Sequence, residues 1–272
     1  MTTPVPQGRT VDALAEELAA LDALLTDLPE EDWSRPTPCP GWDVRANVAH
    51  IVGTEWMLAG RPSPDVPVDR DARPHVRNDI GAFNEAWVIG HAGTDPGEML
   101  ALLRDVTAER VATLRAMGDD EWEAESFTPA GPDSYGRFMR IRVFDCWMHE
   151  QDIRDALRRP GHTTGLPVEV TIDEMASALG YAVGKKAGAP DGTSVTFALT
   201  DLGRDLHVAV DGRARVVEAL DGPATVTLRL GVHAFSRLAG GRATLDELDD
   251  PVEVEGDTAL GHQVLTRLAY TI

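Results

Sequence analysis

Apolar side chains at Val11, Leu14, Leu18, Leu21, Leu25 and Leu28 recur every three or four residues, the spacing of one helix face. Thr10 is placed to cap that helix and Pro29 to follow its end. After a proline-rich loop, Ser34 to Trp42, Asp43 opens a second helix that runs through about Ala59. Its apolar residues Val44, Val48, Ile51, Val52, Trp56 and Leu58 cover so much of the helix that burial on more than one side is expected. Arg61 to His75 reads as loop. Helical spacing resumes over Asp79–Ile89, Pro96–Met117 and Phe138–Leu157, with an acidic, turn-rich stretch from Asp119 to Ser134. Four main helices joined by loops predict a bundle.

The period changes after Arg159, Pro160 and Gly161. One helix, about Pro167 to Gly188, precedes three segments of period two: Val195, Phe197 and Leu199; Leu206, Val208 and Val210; Val226, Leu228 and Leu230. A helix at Val232–Leu238, a turn at Gly240–Gly241, a short Val252–Val254 strand and a last helix from about Thr258 complete the region. The chain therefore reads as a two-domain α+β protein, with a helical bundle over residues 1–162 and a small α+β domain with an antiparallel sheet over 163–272.

One face of the fourth main helix breaks the expected pattern. Asp145, His149 and Asp152 follow at spacings of four and three, within roughly 60° of one another around the helix, and Phe138, Ile141 and Ala156 share their face. Arg140, Arg154 and Arg158 lie opposite. Carboxylates and an imidazole turned toward an apolar interior need partners or a metal. Oxygen and nitrogen donors at i and i+4 are spaced to share one divalent ion. His50, in the middle of the apolar second helix, is the best third ligand. Asp152 is either an alternative ligand or a group that orients a liganding imidazole. The competing explanation is a buried ion-pair network that includes Arg142.

Composition narrows the partners. A net charge of −20 argues against nonspecific affinity for nucleic acid or anionic membrane. Cys39 and Cys146 have no framework spacing and fit a reducing compartment. No apolar run is long enough to span a bilayer and Met1 to Arg9 lacks the core of a signal peptide, so the expected location is cytoplasmic. Phosphate-loop, His-Glu-x-x-His and Gly-x-Ser-x-Gly patterns are missing from the sequence.

Two stretches carry a family resemblance. Thr37-Pro38-Cys39-Pro40-Gly41-Trp42-Asp43-Val44-Arg45 with Val48-Ala49-His50, and Arg142 to Arg154 around Asp145 and His149, resemble the signatures of the mycothiol-dependent maleylpyruvate isomerase family. The resemblance implies a DinB-like four-helix bundle whose divalent metal, usually zinc, is held by residues matching His50, Asp145 and His149. The characterised isomerase type has glutamate where this chain has Asp145. Phe235 to Gly241, Arg242, and Val254-Glu255-Gly256-Asp257 resemble the helix, "GR" turn and "GD" turn of that family's sterol-carrier-like second domain. The implied activity is that of an isomerase or transferase in which the metal stabilises the thiolate of mycothiol for attack on a small, anionic electrophile. Arg142 and Arg242 are the candidates for positioning that partner from the two sides of an interdomain cleft. The alternative is a non-enzymatic, metal-stabilised binding or carrier protein for a small apolar ligand.

Overall fold

Helix α1 spans Gln7–Leu25 and begins a turn earlier than the apolar spacing predicts. Thr10 is inside it, buried, with its hydroxyl donating to the Pro6 carbonyl at 2.9 Å. The extension is tertiary in origin, since the Gln7 amide donates to the carbonyls of Leu114 (3.0 Å) and Met117 (2.9 Å). A 3₁₀ turn at Glu30–Ser34 leads to α2, Val44–Leu58, which is followed by α3, Asp79–Gly90, and α4, Pro96–Ala116. Each of these three starts on a side-chain cap: Asp43, Asn78 and Asp95 accept backbone N–H groups of the first turn, an arrangement worth about 1 kcal/mol per helix. The turn-rich stretch holds a short α5, Asp119–Glu123, and a two-residue ladder of β1, Glu125–Ser126, with β2, Asp133–Ser134. The long α6, Tyr135–Leu157, then returns through the bundle, capped by the Ser134 hydroxyl. α1 packs on α4 and α6, and α2 on α3, α4 and α6.

Residues 2–271 of this computed structural model are described, and they fall into two units that divide between Gly161 and His162. In the second unit the helix expected over 167–188 is broken into α7, Leu166–Ala176, a single turn α8, Leu179–Tyr181, and a π-helical turn, Ala182–Lys186. Strands β3, Ser194–Leu199; β4, Arg204–Asp211; β5, Arg213–Val217; β6, Val226–Leu230; and β7, Glu253–Gly256 form one sheet in the order β5-β4-β3-β6-β7. The sheet is antiparallel except between β3 and β6, which run parallel with Val195 opposite Val226. α8 packs on β5, and a Cβ at Gly180 would stand 2.9 Å from the Ala214 carbonyl oxygen, so an unbroken helix carrying larger residues has no room there. α9, Val232–Ala239, sets Phe235 edge-on to Phe197 at 5.7 Å, and α10, Thr258–Thr266, packs on β6 and β7. Among the described residues no helix is long and apolar enough to cross a membrane.

Candidate metal centre

The site starts with the loop before α2. Residues 36–44 fold back on themselves through Thr37 N–H to the Trp42 carbonyl (3.0 Å), Trp42 N–H to the Cys39 carbonyl (3.1 Å) and Val44 N–H to the Arg35 carbonyl (3.1 Å). The reversal needs Gly41 at φ +82°, where a Cβ would also strike the His75 ring at 2.5 Å. Trp42 is thereby set against both imidazoles of interest, with ring centroids 5.1 Å from His50 and 5.5 Å from His149. Its indole N–H donates to Glu85 of α3 at 2.9 Å. Glu85 also takes hydrogen bonds from Arg73 (2.8 Å) and His75 (3.0 Å), which ties the long α2–α3 connection to the same corner. Burial would raise the Glu85 pKa, but hydrogen bonds from Trp42, His75 and Arg73 outweigh it and hold the carboxyl below its usual 4.5.

α2 and α6 bring the three expected ligands together across 95 residues of sequence. His50 Nε2 lies 3.0 Å from Asp145 Oδ2, and His149 Nε2 lies 3.6 Å from Asp145 Oδ1. One candidate donor atom from each residue falls within 4.8 Å of the other two. Ligands about 2.0–2.1 Å from a tetrahedral zinc are separated by roughly 3.4 Å, so the spacing suits such an ion. The donor set of two imidazoles and one carboxylate is also that of a catalytic zinc site with an open position. Both histidines are buried, while Asp145 keeps 29% of its side chain exposed. The residues fit the group.

Electrostatics separates the three. Burial pushes His50 below its usual 6.5 despite the nearby Asp145. Burial would also lower His149, but hydrogen bonds to Asp145, Asp152 and Cys39 raise it well above 6.5. Asp145 would be raised by burial, and the charges of His50 and Arg142 with hydrogen bonds from both imidazoles hold it well below the carboxylate range. Ion binding through His149 thus competes with the proton that these hydrogen bonds favour.

Arg142 was a candidate for contact with substrate, and its geometry is different. The side chain is buried, with Nε donating to Glu55 Oε1 at 2.9 Å, Nη1 donating to Asp145 Oδ2 and Nη2 directed at Cys146 Sγ, 3.4 Å away. Glu55 is fully buried on α2 and accepts Arg110 Nε on its other oxygen at 3.1 Å. Arg142 thus fixes the rotamer of Asp145 from within the bundle. Asp152, fully buried, stands 3.5 Å from His149 Nδ1, the ring nitrogen turned away from Asp145, where it can orient the imidazole. Cys39, buried in its loop, could group with His149 and Asp152 as a second set of donors. Arg242 belongs to the second unit, where its Nη1 donates to the Gly240 carbonyl at 3.3 Å.

Sequence reasoning missed Asn47. Its Oδ1 lies 2.7 Å from His149 Nδ1, and its Nδ2 donates to Thr37 Oγ1 (3.0 Å) and to the Asp43 carbonyl (2.8 Å). The available signal was its place three residues before His50 on an apolar helix, because a buried amide must find partners.

Comparisons with known proteins bear on family and fold. The chain is 27% identical over 150 residues to uncharacterised proteins from two strains of Mycobacterium tuberculosis. The match takes in 55% of this chain and 57% of each relative, so the chain spans little more than half the length of the curated relatives it matches. Its fold is that of the crystal structure of the mycothiol-dependent maleylpyruvate isomerase, with TM-score 0.61, 16% identity and coverage of 92% of this chain and 93% of that one. A histidine-to-alanine variant of that enzyme aligns with TM-score 0.60 at 14% identity and the same coverage. The family model described as mycothiol maleylpyruvate isomerase N-terminal domain matches residues 14–154, just over half of the chain and the whole of the constellation around His50, Asp145 and His149, and the chain belongs to that family.

Proposed function

We propose that this protein is a metal-dependent enzyme that uses a low-molecular-weight thiol, mycothiol by its family, to isomerise or to conjugate a small electrophile. The observation that carries the reading is the convergence of His50, Asp145 and His149 with the carboxylate edge open to solvent. In this reading His50, Asp145 and His149 hold a zinc-like ion, which supplies Lewis-acid stabilisation of a thiolate. The chain's own groups keep that site in order. Arg142 and Glu55 hold the Asp145 carboxylate, Trp42 covers both imidazoles and excludes water from one side, and Glu85 fixes the indole. Thiolate addition to a conjugated double bond, rotation about the resulting single bond and elimination would isomerise the substrate with the thiol returned. Retention of the adduct would make the same step a transfer. Asp145, one methylene shorter than the glutamate of the isomerase type, sets the carboxylate back toward α6 and so alters the room beside it.

The test is metal analysis of the purified protein followed by turnover of conjugated keto-dicarboxylates, maleylpyruvate among them, with and without mycothiol. One divalent ion per chain and thiol-dependent turnover are expected. Absence of a bound ion would overturn the proposal. A stoichiometric ion with no thiol-dependent turnover would leave the binding-protein alternative.

A further inference from the structure

His149 has two ring nitrogens in different surroundings, and the hydrogen-bond chain on its Nδ1 side allows one reading. The Asp43 carbonyl can only accept, so the Asn47 atom 2.8 Å from it is the amide nitrogen. The Thr37 hydroxyl gives its single proton to the Trp42 carbonyl at 2.9 Å, and its oxygen accepts from the Cys39 N–H and from the Asn47 amide. Both amide protons of Asn47 are thereby placed, and the group 2.7 Å from His149 Nδ1 is a carbonyl oxygen. A carbonyl oxygen only accepts. His149 Nδ1 must carry a hydrogen whether the ring is neutral or charged, and Asp152 Oδ2 at 3.5 Å favours the same proton. The nitrogen that can give up its proton is Nε2, which faces Asp145.

Resting on the metal-site reading above, we propose that Asn47 is a positioning residue that keeps a proton on His149 Nδ1 and commits Nε2 to the ion. The loop signature acquires a physical meaning: Thr37 and the carbonyls of Trp42 and Asp43 fix the amide of Asn47, which fixes the imidazole one hundred and two positions later. Partners of this kind typically change metal affinity by about 10–100-fold when removed.

The experiment compares the parent protein with Asn47→Leu and Asn47→Asp. Aspartate keeps an oxygen that accepts from Nδ1–H but loses both amide donations, whereas leucine loses all three contacts. A purely structural Asn47 would therefore make the two variants equally weak. The expected result is a zinc affinity lowered about 10–100-fold in Asn47→Leu and largely recovered in Asn47→Asp. Histidine labelled with ¹⁵N in the cadmium-loaded parent should show metal coupling at His149 Nε2 and a retained proton at Nδ1. Coupling at Nδ1, or equal losses in both variants, overturns the proposal. If Asn47→Leu does not fold, the parent spectrum and the aspartate variant still decide it. A parent that takes up no ion overturns the metal reading instead, and the Nδ1 proton in the ¹⁵N spectrum of the unloaded parent then upholds or overturns the assignment of Asn47 by itself.

Discussion

In the first unit Glu17, Glu55, Arg110, Arg142, His149, Glu150 and Asp152 are all buried, whereas the second buries the hydroxyls Thr171, Thr196 and Ser236 and only two charged side chains among its described residues, Glu174 and Arg237. The second unit follows the ordinary rule, with Val195, Phe197, Leu228 and Phe235 packed between sheet and helix. The bundle departs from it at considerable expense, since a buried ion pair rarely stabilises more than apolar residues of the same size. What the charges supply is position. Glu55 holds Arg142, Arg142 holds Asp145, and Asp145 meets two imidazoles. The difference between the units is greatest around the proposed metal centre.

The largest effect expected of a single substitution is on metal content. His149→Ala should reduce zinc affinity by more than the roughly 100-fold typical of losing a supporting partner, because it removes a ligand. Stoichiometric zinc in that variant, read by atomic emission, would detach the charged interior from metal binding. Glu55→Gln comes next, leaving Arg110 and Arg142 without their shared charge and costing about 3–5 kcal/mol of unfolding free energy. All six tryptophans (Trp33, Trp42, Trp56, Trp87, Trp122 and Trp147) lie in the first unit, so their fluorescence during urea unfolding reports that loss directly.

A smaller contribution should appear in acid. Glu85 prefers its ionised form when folded, so its contribution is complete above its usual 4.5 and fades as the pH falls through the lowered folded-state value. The urea midpoint of the parent should therefore drop more between neutral pH and pH 3 than that of Glu85→Gln. Parallel curves would remove Glu85 from the account. The smallest effect belongs to the second unit. Thr196→Val keeps the β-branched shape and loses one hydrogen bond to His207, at 2.9 Å, for a cost of about 0.5–1.5 kcal/mol by circular dichroism. A loss as large as that of Glu55→Gln would dissolve the contrast between the units.

How much of this was legible in the sequence depended on whether the signal was local. Asp145 and His149 share a helix face by spacing alone, and a histidine amid the apolar residues of α2 drew attention to His50. The orientation of Arg142 was not legible, because it depends on Glu55, 87 positions away and on another helix. Asn47 offered only its polar place on an apolar helix, and which of its two ends faces His149 is not written in the sequence. In the second unit the alternation of β3, β4 and β6 was plain. β5 was missed because its exposed arginines, Arg213 and Arg215, obscure the period of an edge strand. The parallel pairing of β3 with β6 is a matter of topology, and periodicity is the same for either direction.

α2 carries Asn47, His50 and Glu55 within little more than two turns, each aimed at a different partner on α4 or α6. One residue inserted between Asp43 and Glu55 would turn every later side chain by about 100° and advance it by about 1.5 Å. No set of point substitutions elsewhere restores three such directions together. Chain length between those two residues is thus under a stricter constraint than the identity of most residues within it. The connection from Ala59 to Asn78 is held at Arg73 and His75 and has freedom to lengthen between Arg61 and Arg70. Among descendants of this chain, insertions and deletions should accumulate in that connection and stay out of the thirteen positions from Asp43 to Glu55.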